Sequence, residues 1–293
     1  MNSANNGPDA YDVKAHYAFG RSEAETKRLI IQADVLHPFT ERLLEAVGLG
    51  HGMRVLDLGC GTGDVSILAA SIVGKSGAVV GIDHNGNILA IARKRAEAAG
   101  LENVTFKEVD IESFNEPKSF DVVVGRCVAF FQPDPAIYLQ AAAKAVRPGG
   151  KLAMQEAHAS WLAVREPHSR NGQFSAPRIP DYERVGEAFA RAVEATAPSY
   201  DVALRMPQHF ADAGLPEPRL SWDIPVGSGP NSPLYALAAV AFQSMFPQMA
   251  KHGINGFEDL ATDMLEDNLR TQAVQSHSQI ALIYTLISAW VQL

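Results

Sequence analysis

Three glycines at alternate positions, Gly59, Gly61 and Gly63, follow Asp57 in the stretch RVLDLGCGTGDVSILAA, residues 54–70. Glycine has no Cβ, so such a run lets the backbone turn sharply and approach a ligand closely. Asp57 stands just before the turn, and Asp83 lies about twenty residues beyond it at the end of GAVVGID. A carboxylate at the end of a strand can accept hydrogen bonds from a bound ligand. The order is G-x-G-x-G, not the G-x-G-x-x-G of dinucleotide-binding turns, which argues against a dehydrogenase.

Further along, Glu156 and His158 follow an apolar segment, KLAMQEA, where either could orient or deprotonate a second reactant. Burial beneath an apolar cover would raise the glutamate's pKa and make it a better proton acceptor near neutral pH. The stretch HASWLAVREPHSRNGQFSAPR, residues 158–178, interleaves Arg165, Arg170 and Arg178 with Trp161, His168 and Phe174. Arginines clamp carboxylates or phosphates and aromatic faces stabilise cations, so an anionic or aromatic substrate would suit it; a solvated loop is the plainer reading. No H-E-x-x-H or comparable spacing indicates a metal centre. The acidic run FEDLATDMLED reads as a wet helix face.

These residues need strands and helices to hold them. Residues 53–58 form an apolar strand, and Val65, Leu68, Ala69 and Ile72 recur at helical spacing before Gly74. GAVVGID is a second strand, followed by a helix from about Asn85 to Gly100. VTFKEVD and FDVVVG give a third and fourth; Asp134 and Pro135 open a helix that runs to RPGG, and KLAMQEA is the fifth strand. Repeated strand–helix crossovers with nearly continuous apolar strands predict a parallel sheet covered on both faces, its ligand site at the carboxyl ends of the strands. SEAE, residues 22–25, is a capping box opening one helix, and HPFTERLLEAVGL suggests another. RMPQHFADAGL and PRLSWDIPV add a helix and a strand, and IALIYTLISAWVQL reads as a buried terminal strand.

The chain has 293 residues, of which 47% are hydrophobic, enough for one large domain or a core with a cap. A formal net charge of −8 makes nucleic acid an unexpected partner. Cys60 and Cys127 stand far apart with no C-x-x-C, which fits a reducing compartment. MNSANNGPDAYDVK lacks the blocks of a signal peptide, and the longest apolar run is too short to span a bilayer, so the expected location is cytoplasmic, off the membrane.

The motif DLGCGTG resembles the first motif of class I S-adenosylmethionine-dependent methyltransferases. The likeness continues in order through GIDHN, VDIESF, FDVVVGRCVAFFQPDP and RPGGKLAMQE, over roughly residues 46–157. YAFGRSEAETKRL is also similar to small-molecule methyltransferases of microbial secondary metabolism. The resemblance implies a Rossmann-like, mostly parallel seven-stranded α/β sheet with helices on both faces. Around it the expected organisation is a lid at 1–45, a cofactor-binding core at 46–157, a cap insertion at 158–203, a core helix and strand at 204–226, a helical insertion at 227–278 and a terminal strand at 279–293.

It also implies roles. Gly59, Gly61 and Gly63 would take the methionine part and ribose of S-adenosylmethionine, Asp57 would face its ammonium group and Asp83 its ribose hydroxyls. Asp110 would lie near the adenine amino group with Ile111 beside the ring; His84 and Ile88 would neighbour the ribose and base, and the backbone around Arg126 the amino acid end. Tyr17, Arg21 and Gln32 resemble lid residues that close over the cofactor. Many relatives carry a histidine after the fourth strand, but here Phe130 and Phe131 stand there, which moves the expected acceptor-side base to Glu156 or His158. The expected reaction is in-line transfer of a methyl group to an oxygen, carbon or nitrogen of a small molecule, releasing S-adenosylhomocysteine. The alternatives are carbon methylation of a prenyl diphosphate, the one case that calls for magnesium, and a protein that binds the cofactor without transferring its methyl group. Acceptor and oligomeric state stay open.

Overall fold

The computed structural model describes residues 23–159 and 174–293. A long helix, α1 (Glu23–Ala46), precedes the sheet. Strand β1 (Arg54–Leu58) leads through the glycine turn into α2 (Asp64–Val73); β2 (Ala78–Asp83), α3 (Gly86–Ala98) and β3 (Val104–Glu108) follow. Then come β4 (Phe120–Arg126), α4 (Pro135–Ala145) and β5 (Val146–His158). The second half holds β6 (Ser175–Ala176), α5 (Pro180–Thr196), α6 (Met206–Asp212), β7 (Arg219–Asp223), β8 (Val226–Ser228), α7 (Leu234–Lys251), α8 (Leu265–Gln275), β9 (Gln279–Ala281) and β10 (Thr285–Gln292).

Seven strands pair in the order β3-β2-β1-β4-β5-β10-β7, with β10 antiparallel to both neighbours and the pairs among the first five parallel. The expected mostly parallel seven-stranded α/β sheet is therefore present. Because helices cover both faces, β1 and β4 are buried nearly throughout rather than on alternate residues. Alternation still sorts the side chains: Leu56, Leu58, Val80 and Val123 join one core cluster, while Val55, Val79, Val122 and Val124 join another beneath α2. Helix α1 packs on α7, and α7 on α5 and α8, building a helical cap.

Local signals are realised where the backbone needs them. The Asn85 side chain accepts from the Asn87 N–H at 3.1 Å to start α3, and Asp134 accepts from Ala136 and Ile137 at 2.9 and 3.1 Å to start α4. Two expectations are corrected. The two helices expected before the sheet are one: α1 runs on through Pro38, and the burial of Leu36, Leu43 and Leu44 outweighs the lost hydrogen bond. The proposed cap residue Ser22 lies outside the described residues. The expected terminal strand divides into β9, which joins β6 and β8 in a three-stranded sheet, and β10, with a bend across 282–284. Every residue from Ile280 to Leu286 except Ala281 is buried, so no change in polarity marks the break.

Asp134 sets the start of α4 and thereby the end of the preceding aromatic loop. Asp134→Ala should cost about 1 kcal/mol and lower Tm by about 2–4 °C in calorimetry, with Asp134→Asn close to wild type.

Candidate active site

Backbone conformation builds the floor of the site. Gly59, Gly61 and Gly63 adopt φ of +59°, +52° and +84°. A Cβ at Gly59 would stand 2.5 Å from Val128 Cγ2, whereas one at Gly61 would meet nothing within 4 Å, because Gly61 opens onto a cavity. The Gly61 N–H donates to Asp83 Oδ2 at 3.0 Å, and the Asn85 N–H to Asp83 Oδ1 at 2.9 Å. One carboxylate thus ties together the loops that follow β1 and β2. Burial pushes the Asp83 carboxyl above its ordinary value, against these hydrogen bonds. Asp57 accepts from Ser66 Oγ at 2.5 Å, and its burial pushes it up to about 7.

The cavity, of about 250 Å³, runs from this floor beneath α1 to the cap. Asp57, Gly59, Gly61, Asp83, His84, Ile88, Arg126 and Gln32 all line it. His84 Nδ1 is 3.8 Å from Asp83 Oδ1. Three expected residues stand apart: Gly63 caps α2, Ile111 is buried in the core, and Asp110 precedes the short turn Ile111–Ser113; none is among the lining residues. Tyr17, Arg21, Trp161, Arg165, His168 and Arg170 lie outside the described residues. Phe174 is buried against Gly186 and Arg178 is exposed, both away from the cavity.

Along α1, Glu25, Arg28 and Gln32 turn one buried polar stripe into the cavity at helical spacing. Arg28 Nε and Nη2 each donate to Glu25 at 2.7 Å, and Nη1 donates to Gln32 Oε1. Sequence reasoning reached only Gln32; the i, i+3, i+7 pattern of polar groups was the available signal. Arg126 Nη1 donates to Thr40 Oγ1 at 3.1 Å, and its Nη2 lies 3.6 Å from Asp64 Oδ2. Thr40 Oγ1 donates in turn to Gln155 Oε1 at 2.8 Å, and Gln155 Nε2 to Ser288 Oγ at 3.0 Å.

The far wall is apolar: Phe130 and Phe131 after β4, Ala157 and Ala159 at the end of β5, Phe189 and Val193 from α5, and Tyr284 from the bend before β10. Glu156 and His158 have the opposite parity to Ala157 and Ala159, are buried, and are not among the lining residues. Glu156 Oε1 accepts the N–H groups of Val128 and Ala129 at 3.1 and 2.9 Å, bracing the aromatic loop. The geometry makes it a positioning residue, and the acceptor-side base expected of Glu156 or His158 has no geometric support. Cys60 and Cys127 line the cavity as thiols, Cys127 pushed up to about 12 by burial and by Glu156. Among the described residues no cluster of His, Cys, Asp or Glu could hold a metal ion, and no helix is long and apolar enough to cross a membrane.

A glycine turn and two strand-end carboxylates at the carboxyl edge of such a sheet define a nucleoside-binding α/β domain. Residues 49–192 match the family model described as methyltransferase domain, so this segment is a methyltransferase domain. The chain is 37% identical over 124 residues to arsenite methyltransferase of Aquipseudomonas alcaligenes, covering 40% of this chain and 36% of that one. It is 34% identical over 145 residues to aklanonic acid methyltransferase DauC of Streptomyces sp. strain C5, covering 49% and 65%. The chain therefore spans between about a third and two thirds of the length of these curated relatives. A crystal structure assigned as a methyltransferase, from Bacillus halodurans C-125, superposes with a TM-score of 0.54 at 17% identity, covering 86% of this chain and 97% of that one, which shows a shared fold.

Burial raises Glu156 from 4.5 to about 7. A folded-state pKa above the unfolded one gives stability that is complete below the unfolded value and lost as pH rises through the folded one. Denaturation midpoints should therefore fall between pH 4.5 and 7. Glu156→Gln, which keeps an acceptor for the two amides, should flatten that slope by at most about 1.4 kcal/mol per pH unit.

Proposed function

We propose that the protein binds S-adenosylmethionine in this cavity and transfers its methyl group to an oxygen, carbon or nitrogen of a small, aromatic acceptor. The observation that carries this reading is Asp83, a part-buried strand-end carboxylate spending one hydrogen bond per oxygen on loop amides and keeping its remaining lone pairs for a ligand in the cavity. The residues present fit the cofactor: Gly61 leaves open space beside that carboxylate, and Asp57 adds a second anion a short way along the floor.

In this reading Asp83 accepts the ribose hydroxyls, His84 and Ile88 flank the nucleoside, and Asp57 faces the ammonium group. Arg126 and the Arg28–Gln32 stripe frame the amino acid end, and Asp110 and Ile111 stand on the adenine side, outside the cavity lining. S-adenosylmethionine, when bound, supplies a methyl group on a sulfonium that needs no further activation. The chain's own work is then to hold two reactants in line, keep water out with Phe130, Phe131 and the cap, and fix the loop after β4 through Glu156.

Calorimetry tests the cofactor directly. Asp83→Ala should weaken S-adenosylmethionine binding by about 1–3 kcal/mol, the cost of losing hydrogen bonds to a charged group, in a protein whose circular dichroism stays native. Unchanged affinity in the folded variant would remove the core of the reading. Release of S-adenosylhomocysteine on incubation with a panel of small aromatic acceptors checks the transfer itself. Because Asp57 titrates at about 7, affinity should rise as pH increases through that value. Asp57→Asn should lose this rise, measured by the same titrations at several pH values.

A further inference from the structure

Among the described residues, the aromatic end of the cavity contains a buried polar atom with no assignment, the Tyr284 hydroxyl. Tyr284 is 2% exposed and lines the cavity, yet among the described residues its hydroxyl has no hydrogen-bond partner. The other two fully buried tyrosines of the cap behave differently: Tyr182 Oη donates to the Ala281 carbonyl at 2.8 Å and Tyr235 Oη to the Gly229 carbonyl at 3.1 Å. A buried hydroxyl left unpaired costs free energy, so its retention at the wall of a cavity points to a partner that arrives from the cavity.

The surroundings describe that partner. The Tyr284 ring stacks on Phe189 with centroids 5.7 Å apart and planes at 26°, while Phe130 and Phe131 form a second aromatic pair with centroids 3.9 Å apart. Val193, Ala157 and Ala159 complete an apolar compartment. Other polar groups at its border already have partners: Arg126 bonds to Thr40, and Gln132 Nε2 donates to the Val128 carbonyl at 3.4 Å. The charged neighbours of the phenol are Arg28, Arg126 and Glu25, with the Cys127 thiol beside them, and burial holds the phenol protonated. A protonated phenol in an aromatic compartment offers one directed donor to a flat ligand.

We propose that Tyr284 is the hydrogen-bond donor that positions the acceptor, and that the acceptor is a planar aromatic compound bearing an oxygen. This rests on the methyl-transfer reading for its biological meaning, while the binding claim stands on the compartment itself. Tyr284 takes no proton in this role: its O–H stays intact and donates to the acceptor oxygen, fixing the ring's orientation in the compartment.

The test uses 1-naphthol and naphthalene as probes, titrated into the full chain with and without saturating S-adenosylhomocysteine. Wild type should bind 1-naphthol several-fold, up to about tenfold, more tightly than naphthalene. Tyr284→Phe should bring the two probes to near equality with S-adenosylhomocysteine affinity unchanged. Equal discrimination in both proteins, or no binding of either probe to wild type, overturns the proposal. Failure of S-adenosylhomocysteine to bind would instead strike the cofactor reading, leaving the naphthol comparison without it to decide on Tyr284. A second readout separates a ligand-facing hydroxyl from a structural one. Tyr284→Phe should melt at or above the wild-type temperature, while Tyr182→Phe, which loses a formed hydrogen bond, should melt lower. A Tyr284→Phe protein that melts as low as Tyr182→Phe would show that the hydroxyl serves the fold.

Discussion

The hydrogen bond from the Gly61 N–H to Asp83 is the contact on which the site depends. Two loops leave adjacent parallel strands at the same edge of the sheet, and the Cys60 N–H donates to the Ile82 carbonyl at 2.9 Å where the strand pairing ends. The Asp83 carboxylate adds the side-chain tie, accepting one amide from each loop. The bond requires Gly61 to present its N–H sideways from a left-handed conformation, which glycine adopts without a steric penalty. Gly59 answers a second demand, because the side chain of Val128 fills the space a Cβ would take. The turn is thus fixed from below by packing and from the side by a part-buried carboxyl group.

A parallel device operates one strand further on. Glu156 accepts two amides of the loop after β4 and so sets where Phe130 and Phe131 stand. Arg126, at the end of β4, joins that region to α1 through Thr40 and to the first turn of α2 through Asp64. From Ser288 through Gln155, Thr40 and Arg126, polar side chains connect β10, β5, α1 and β4 in sequence. Such a network is costly to bury unless each member is satisfied, and here the hydrogen bonds are made, which holds the middle of α1 in a defined place over the sheet. The cap is positioned by apolar packing on α7 and by this polar seam together.

The sheet and its glycine turn were legible because period, turn residues and caps agreed at each step: Asp134 and Asn85 start helices as their types require. Other features escaped for identifiable reasons. Proline usually interrupts a helix, so α1 read as two; the burial flanking Pro38 is a tertiary effect that no local signal carries. The run from Ile280 to Leu286 is nearly all apolar and conceals the bend that brings Tyr284 to the cavity. Phe189 and Val193 reach the cavity from α5, far from the motifs in sequence, and their types mark them only as core. Gln32 was found and Arg28 was not, although both lie on one helical stripe, because a buried ion pair between neighbours on a helix looks in sequence like an exposed one.

Asp57 and Glu156 show why geometry had to decide the acceptor side. Both are fully buried carboxyls, both are pushed up to about 7, and burial is the leading cause in each. By titration alone each would qualify as a group poised for proton transfer near neutral pH. Their surroundings separate them. Asp57 lines the cavity and spends one oxygen on Ser66, so its carboxylate can meet a ligand. Glu156 points the other way from the alternate residues Ala157 and Ala159, and its Oε1 is occupied by two backbone amides. A base must reach the proton it removes, and strand parity keeps Glu156 from doing so. One residue of register on β5 therefore separates a cavity-lining position from a brace, and the wall that Ala157 and Ala159 join is aromatic, with Phe130, Phe131, Phe189 and Tyr284 in it.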